Sequence, residues 1–185
     1  AGQHQGLSSI RQRGTIAIKP DFTLPLACRT PRRDTAFGVI QDAAGNDLNT
    51  FRRRRATNSA SIDGADATTG SLNLLDLASH ENRSHELPGR PGFAFPCQSQ
   101  DQFVVGCERS LGFFNVKTGA WDPFCEGIDA DVTNTIINDG ICHEDNLIFG
   151  TKDLEFATRK AGLYLYRGAD KKLIRLRDDQ ICSNG

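Results

Sequence analysis

A six-residue segment of this chain returns at an interval typical of stacked β-sheet repeats. Residues 101–106 (DQFVVG) recur 44 residues later as residues 145–150 (DNLIFG). Each copy is followed by a second apolar segment, a tight polar turn and a third apolar segment. Repeats of roughly 40–50 residues made only of short strands are typical of β-propellers, in which one blade corresponds to one repeat. The sequence therefore predicts an all-β chain that contains part of a β-propeller.

Three hairpins follow the same pattern within residues 70–185. Their arms alternate apolar and polar residues, and Gly, Asp, Asn or Lys occupies the turns, as expected for antiparallel hairpins. The hairpins join residues 72–77 to 85–87, 111–116 to 120–124, and 162–166 to 172–176. Residues 103–105 and 147–149 are apolar throughout, which predicts inner strands buried on both faces. Together these segments account for about two to three blades.

The first 69 residues lack this periodicity. Two short apolar stretches, at residues 15–18 and 36–40, could form strands, and the four consecutive arginines 52–55 are expected in a solvated loop. Residues 1–69 carry a net charge of +4, whereas residues 70–185 carry −5. We therefore divide the chain into an irregular or partly disordered segment of uncertain origin (1–69) and an incomplete β-propeller domain (70–185).

The composition argues against several classes of partner. With 38% hydrophobic and 24% charged residues, it is typical of a soluble globular protein. A net charge of −1 gives no basis for a nucleic-acid partner. No apolar run approaches the roughly 18 residues that a membrane span needs, so no membrane is expected as a partner. The first 30 residues lack the apolar core of an export signal, so a cytoplasmic location is the favoured expectation.

Six cysteines, an even number, are compatible with disulfides, but their surroundings favour free thiols. They are Cys28, Cys97, Cys107, Cys125, Cys142 and Cys182. Most lie in or beside apolar segments, where a free Cys packs as a small hydrophobic residue. Their spacings contain no Cys-x-x-Cys pair of the kind that holds zinc. We therefore expect buried free thiols rather than a disulfide framework.

Two asparagines are separated by one blade repeat. Asn138 and Asn184 lie 46 residues apart, so they are expected at equivalent heights in neighbouring blades, where they can share a site. A carboxamide oxygen is a neutral, hard ligand for a divalent cation, and the amide NH2 can donate a hydrogen bond to a substrate hydroxyl. The alternative is structural, because Asn-Asp-Gly and Asn-Gly are strong turn formers whatever their function.

From about Gly70 onward the chain resembles a known family of six-bladed propellers. The segments that carry the resemblance are LPGRPGF (87–93), FVVGCER (103–109), INDG (137–140), GT (150–151), GLY (162–164) and CSNG (182–185). Their order and spacing are similar to those of the senescence-marker-protein/gluconolactonase/luciferin-regenerating-enzyme family, whose members include regucalcin. The resemblance covers somewhat under two thirds of the chain.

This resemblance implies a hydrolase that acts on lactones or related esters with a divalent metal (calcium, zinc, magnesium or manganese). The family holds its metal with a Glu of the first blade, an Asn in a Ser-Asn-Gly segment and a later Asp that also moves the proton. Asn184 matches the Asn ligand, and Asn138 matches the substrate-contacting Asn of the family's Asn-Asp-Gly segment. Glu155 falls where some members place a substrate-contacting Glu, although an exposed loop carboxylate is an equal alternative.

Three departures from the family pattern limit what this chain is expected to do. Many members have an Arg two residues before the Asn-Asp-Gly asparagine, and here that residue is Ile136. No glutamate precedes Glu81, and the sequence ends one residue after Asn184, so two of the three metal ligands have no counterpart. We therefore expect a hydrolase fragment that binds no metal tightly and is inactive as it stands, with its catalytic residue unknown. The alternative is a non-catalytic propeller module that binds a protein or a small ligand.

Overall fold

The chain folds into short antiparallel strands. The computed structural model describes residues 17–18, 40–41, 47–48, 50–55, 60–76, 78–99 and 101–184, and within them it contains fifteen strands. The strands are β1 (Ala17–Ile18), β2 (Ile40–Gln41), β3 (Asp47–Leu48), β4 (Thr50–Arg55), β5 (Ala60–Asp66), β6 (Ser71–Asp76), β7 (Asn82–Glu86), β8 (Pro91–Pro96), β9 (Gln102–Cys107), β10 (Ser110–Asn115), β11 (Trp121–Glu126), β12 (Thr135–His143), β13 (Asn146–Asp153), β14 (Ala161–Arg167) and β15 (Lys172–Gln180). Among the described residues, no helix is long and apolar enough to cross a membrane.

Twelve of the strands form three four-stranded antiparallel meanders, in which neighbours in sequence are neighbours in the sheet. These blades are β4–β7, β8–β11 and β12–β15. The short strand β1 pairs with the outer edge of β11, and β2 pairs with β3. A sheet whose strand order follows the chain is the unit from which propellers are built. The prediction of an all-β partial propeller is confirmed, with three blades in the described part of the chain.

Three of the hairpin turns share one local design. An Asp or Asn side-chain oxygen accepts hydrogen bonds from the backbone N–H groups two and three residues later. The side chain thus mimics a backbone turn. The residue four positions later adopts a positive φ, which closes the turn. The pairs are Asp66 with Gly70 (φ 68), Asp76 with His80 (φ 59) and Asn115 with Gly119 (φ 72). The three predicted hairpins are present as the pairs β6–β7, β10–β11 and β14–β15.

The hydrophobic core lies on both faces of the middle blade. Side chains along its strands alternate between a cluster shared with the third blade and a cluster shared with the first. The cluster toward the third blade includes Phe93, Phe95, Val104, Leu111, Phe113, Phe149 and Tyr164, and the cluster toward the first includes Ala65, Leu72, Ala94, Phe103, Val105 and Phe114. This two-sided burial is why residues 103–105 are apolar throughout.

The first strands of the second and third blades, β8 and β12, lie nearest the neighbouring blades. Strand β8 packs against β12 and also against β5. Residues 103–105 and 147–149 lie instead in β9 and β13, the second strands of their blades, so the prediction that they are the inner strands is wrong. Residues 103–105 are buried on both faces because the middle blade is covered on each side. In the third blade Leu147 and Phe149 are buried but Ile148 is half-buried, so burial on both faces is not found for residues 147–149.

The N-terminal part of the chain contributes to a blade. Strands β4 and β5 pair with each other and with β6, so this blade begins at Thr50. The loop prediction for residues 52–55 is wrong, because cross-strand pairing with β5 places these four residues in β4. The division of the chain at residue 70 stays a prediction, and the described strands extend N-terminal of it.

The cysteines are in mixed states. Cys97, Cys107 and Cys125 are buried and free, and Cys182 is half-buried and free, as predicted. Burial raises the pKa of Cys107 and of Cys125 to about 12. Cys142 is disulfide-bonded, so the prediction of free thiols is wrong for this residue, because spacing in sequence does not show which cysteines approach each other. Cys28 lies outside the described residues.

Candidate functional site

Asn138 lies at an irregularity in strand β12. The pairing of β12 with β13 shifts register between Ile137 and Asp139, which leaves residue 138 as the extra residue of a β-bulge. Gly140 continues the strand opposite Phe149, so Asn-Asp-Gly forms no turn here. The turn alternative is therefore wrong for this segment, because pairing with β13 on one side and packing on β8 on the other override local turn preference.

The side chain of Asn138 contacts the C-terminal segment. Its Nδ2 donates to the backbone oxygen of Ser183 at 2.9 Å and to Oδ1 of Asn184 at 2.9 Å, and it lies 3.3 Å from Sγ of Cys182. The carbonyl of Ser183 can only accept a hydrogen bond, so the amide must present its nitrogen on this side. Both N–H groups are used within the protein, and Oδ1 of Asn138 is the atom that the side chain can offer to a ligand.

The C-terminal segment is held against the end of β13. The N–H of Asp153 donates to the oxygen of Ile181 at 2.8 Å, and the N–H of Ser183 donates to the oxygen of Thr151 at 3.3 Å. A side chain at Gly150 would overlap the Ser183 side chain, so the segment fits only because position 150 has no Cβ.

The backbone contact of this segment repeats one made by the preceding blade. The N–H of Ile137 donates to the oxygen of Glu108, just after β9, at 2.7 Å. Ser183 lies 46 residues after Ile137 and makes the corresponding bond to the end of β13. Asn138 and Asn184 follow these two donors directly. The structure brings the two asparagine side chains into contact, and their equivalence in neighbouring blades stays a prediction.

Glu155 lies apart from the two asparagines. Its Oε1 accepts a hydrogen bond from Nδ2 of Asn134 at 3.0 Å, and Asn134 precedes the first residue of β12. Asn138 lies four residues further along, which corresponds to roughly 13 Å of extended strand. Glu155 is exposed, as the loop alternative requires, and its side-chain hydrogen bond is to Asn134. A role for Glu155 in substrate contact stays a prediction.

The loop that carries Glu155 is rigidly anchored by a buried carboxylate. Asp153 accepts hydrogen bonds from the N–H groups of Glu155, Ala157 and Thr158, and it pairs with Lys160 at 3.0 Å. Burial alone would raise the pKa of Asp153, but the bonds from Thr158 and Lys160 together bring it well below its ordinary value. Asp153 is therefore an ionised structural anchor.

A second buried polar network surrounds Asp129, and sequence reasoning missed it. Asp129 is buried and accepts hydrogen bonds from the hydroxyls of Thr151 (2.5 Å) and Tyr164, and from Nη2 of Arg175 at 2.9 Å. Arg175 also forms a bidentate pair with Asp131. Burial and the adjacent Asp129 raise the pKa of Tyr164. These partners come from three separate strands and a loop, so no local spacing pattern could have revealed them.

The donor set around Asn138 and Asn184 does not by itself fit a divalent cation. The nearby groups with lone pairs are neutral amides, backbone carbonyls and the Cys182 thiol. Within the described residues, no three His, Cys, Asp or Glu side chains are grouped to hold a metal. A neutral oxygen alone competes poorly with water for such a cation. Ile136 is buried.

The all-β fold agrees with a family match. Residues 63–185 match the model of the SMP-30/gluconolactonase/LRE-like region. The chain belongs to this family. A comparison with curated proteins gives no significant match.

Two solved structures share the fold of this family member. A calcium-binding protein, regucalcin, from Agrobacterium tumefaciens is similar with a TM-score of 0.54 and 20% identity, over 64% of this chain and 39% of regucalcin. A luciferin-regenerating enzyme is similar with a TM-score of 0.60 and 20% identity, over 72% of this chain and 46% of the enzyme. The chain thus spans less than half the length of either protein.

Proposed function

We propose that this chain is part of a gluconolactonase-type hydrolase that opens lactones or related esters with the help of a divalent metal. Membership of the family supports the reaction class, and the contact between Asn138 and Asn184 is the observation that carries the proposal. It joins the residue that resembles a metal ligand to the residue that resembles a substrate contact. A purely structural role would not require two carboxamides in direct contact, one at a bulge within β12 and the other in the C-terminal segment.

The geometry gives the two asparagines different roles. Asn138 donates through Nδ2 to Asn184 and therefore orients the Asn184 amide, whose Oδ1 has a second lone pair. Oδ1 of Asn138 accepts a hydrogen bond from a hydroxyl of the substrate or from a water molecule. This refines the sequence-based expectation, in which the NH2 group of Asn138 was the donor to substrate.

The metal would need ligands beyond those that the described residues provide. Calcium, zinc, magnesium and manganese all prefer sites with anionic or imidazole ligands, whereas Asn184 contributes one neutral oxygen. We therefore assign no step of the reaction to a metal held by this chain alone. The role of Asn184 as a metal ligand, and the identity of the cation, belong to the complete hydrolase.

Lactone and ester turnover by the complete natural protein tests this proposal. We expect hydrolysis of a panel of γ- and δ-lactones and nitrophenyl esters that requires added calcium, zinc, magnesium or manganese and is abolished by a chelator. Asn138→Ala and Asn184→Ala should each lower kcat/KM about 10–100-fold, the usual effect of removing a ligand or its orienting partner. Asn146→Ala, at the opposite end of the β12–β13 hairpin, is the control and should retain activity.

The alternative is a propeller module that binds a small ligand or a protein without turnover. The buried Ile136 and the absence of a carboxylate cluster in the described part of the chain favour it. A lactone that raises the melting temperature of the complete protein but is never hydrolysed, with any of the four cations, would support the binder and rule out the hydrolase.

A further inference from the structure

One exposed aromatic side chain of the third blade does little for the stability of the fold. Phe156 is 58% exposed, the largest value among the exposed large hydrophobic residues of the described chain, and its backbone has a φ of 52°. A ring in water gains little from burial, and a bulky residue at positive φ is a steric outlier. Glycine or asparagine would suit the backbone better. Residues held in such conformations concentrate at binding and catalytic sites.

We propose that Phe156 binds an apolar substituent of the substrate, so that the chain selects lactones or esters that carry a long alkyl or aryl group. The identity of the reacting group rests on the proposed function, whereas recognition of the substituent requires neither turnover nor a metal. Phe156 is thus a specificity-determining residue that contacts the substrate away from the bond that is opened.

The loop holds Phe156 in a fixed position. The backbone N–H groups of four consecutive residues, 155–158, all donate to Asp153. The N–H of residue 156 donates to the backbone oxygen of Asp153 at 3.0 Å, and the other three donate to its carboxylate at 2.9–3.2 Å. Lys160 pairs with the same carboxylate at 3.0 Å. Because the loop is already ordered, a ligand that contacts the ring does not have to order it on binding.

Two backbone hydrogen bonds join this loop to the elements that carry the candidate site. In one, a loop N–H donates to the oxygen of Asn134, just before β12, at 2.9 Å. In the other, the N–H at the start of the loop donates to the oxygen of Ile181, three residues before Asn184, at 2.8 Å. Asn138 lies four residues beyond Asn134, so both routes to the asparagines cover roughly 10–13 Å of extended chain. A substrate whose reacting group lies at the asparagines therefore needs a substituent of about this length to reach Phe156.

The surroundings of Phe156 favour a small, uncharged ligand. Glu155 is exposed next to it, so the anion of a fatty acid would meet a like charge, whereas an uncharged lactone would not. One aromatic side chain buries about 150–250 Å², far less than the roughly 800 Å² per partner of a stable protein interface. A single alkyl or aryl group of a substrate matches a surface of this size, and a protein partner does not.

Isothermal titration calorimetry of the complete natural protein with two lactams tests the proposal, because a lactam resists ring opening and reports binding alone. One ligand is δ-valerolactam, and the other carries an octyl chain on the ring carbon next to nitrogen. We expect the octyl lactam to bind more tightly. Phe156→Asn should weaken its binding about tenfold, because the alkyl chain loses its apolar contact, and should leave δ-valerolactam binding unchanged. Phe156→Tyr keeps the ring and should retain the affinity. The control is Leu176→Asn, which removes an exposed hydrophobic side chain of β15 and should change neither affinity.

Thermal unfolding supplies a second readout that a structural role would move in the opposite direction. Asparagine tolerates positive φ, so Phe156→Asn should unfold at the same temperature as the unmodified protein or at a higher one. A lower melting temperature would show that the ring stabilises the fold, and it would overturn the proposal. Octyl lactam binding that is the same with and without the ring, or an equal loss for both lactams, would also overturn it. Lactone turnover in that case would leave the proposed function in place and remove this inference alone.

Discussion

At the scale of single residues, two side chains of the same type in the same strand can differ in their hydrogen-bond partners. Tyr164 and Tyr166 lie two residues apart on β14, and both are fully buried. The Tyr164 hydroxyl donates to Asp129 and accepts from Nε of Arg175 at 2.7 Å. Among the described residues, the Tyr166 hydroxyl has no partner. The same residue type therefore stabilises the fold in one place and carries an unpaired polar group in the other.

This contrast predicts opposite outcomes for one substitution. Tyr166→Phe removes a buried, unpaired hydroxyl and should raise the free energy of unfolding by about 1 kcal/mol. Tyr164→Phe leaves Asp129 and Arg175 short of a partner and should lower it by about 1–3 kcal/mol. Urea denaturation of the two variants and the unmodified chain measures both changes. Equal losses in the two variants would mean that the Tyr166 hydroxyl is paired in solution.

Asn138 shows what residue-level reasoning from sequence can and cannot supply. The 46-residue spacing drew attention to both asparagines, and the structure shows their side chains in contact; that they share a functional site stays a prediction. The direction of the Asn138 amide could not be predicted, because it depends on the carbonyl of Ser183, which reaches Asn138 only after β13 has positioned the C-terminal segment. The spacing predicts the position of a residue within its blade. Its hydrogen-bond partners determine which of its atoms faces a ligand.

At the scale of elements, the hairpin turns reuse one geometry with different residues. The turn between β10 and β11 has Gly119 at its positive-φ position, whereas the turn between β6 and β7 has His80 there. A non-glycine residue in this conformation costs roughly 1–2 kcal/mol, and glycine avoids that cost. Glycine loses more backbone entropy on folding, which offsets about half of the gain.

The turn geometry therefore predicts a pair of small and opposite effects. Gly119→Ala should lower the free energy of unfolding by about 1 kcal/mol, and this is a pure backbone effect because a Cβ there would meet no atom within 4 Å. His80→Gly should raise it by about 0.5 kcal/mol. His80→Ala is the control: it removes the same side chain but keeps the strained φ, so it should give no gain. Thermal and urea unfolding would measure all three.

The C-terminal segment depends on a single close approach to β13. Gly150→Ala should displace Ser183 and cost about 1–3 kcal/mol, as overpacking of a close contact does. Faster hydrogen exchange at the Ser183 N–H would show that the segment has moved. Removing the Ser183 side chain should restore the fit, so Gly150→Ala combined with Ser183→Gly should recover most of the loss. If the double variant is no more stable than Gly150→Ala, the loss of stability does not come from the contact with the Ser183 side chain.

Strand prediction succeeded where a hairpin is local and failed where a blade needs its neighbours. The hairpins of β10–β11 and β14–β15 follow from turn residues and alternation, which are properties of adjacent residues. Strand β12 contains Asn138, Asp139 and Gly140, which favour a turn on their own. The strand forms because β13 pairs with it and β8 packs on it, and neither contact is visible in the local sequence. The arginines of β4 are a second example of the same limit.

At the scale of the whole molecule, adjacent blades are joined by packing and by a few polar bridges. Arg109, in the turn after β9, donates to the backbone oxygens of Val132 and Thr135 at 2.8 and 2.9 Å, and to the Thr135 hydroxyl at 3.0 Å. These partners lie in the loop that enters the third blade and at its first residue. In arrays of repeats, stability depends on such contacts between neighbours as well as on each repeat alone.

The chain carries a built-in optical probe for each of these two blades. Its single tryptophan, Trp121, lies on β11 in the middle blade, and both of its tyrosines lie on β14 in the third. Tryptophan fluorescence and tyrosine absorbance therefore report the unfolding of different blades. If the blades are well coupled, the two signals change at the same denaturant concentration.

Arg109→Met should uncouple the two signals. The substitution keeps an unbranched apolar stem but leaves the carbonyls of Val132 and Thr135 without their charged donor, at a cost of about 2–3 kcal/mol. Because these groups belong to the third blade, the tyrosine transition should move to lower urea than the tryptophan transition. Arg83→Met is the control, since the ion pair of Arg83 in the described part of the chain is with exposed Glu81, and its loss should change stability by less than about 0.5 kcal/mol. Coincident transitions in Arg109→Met would show that apolar packing between β8 and β12 couples the blades without this bridge.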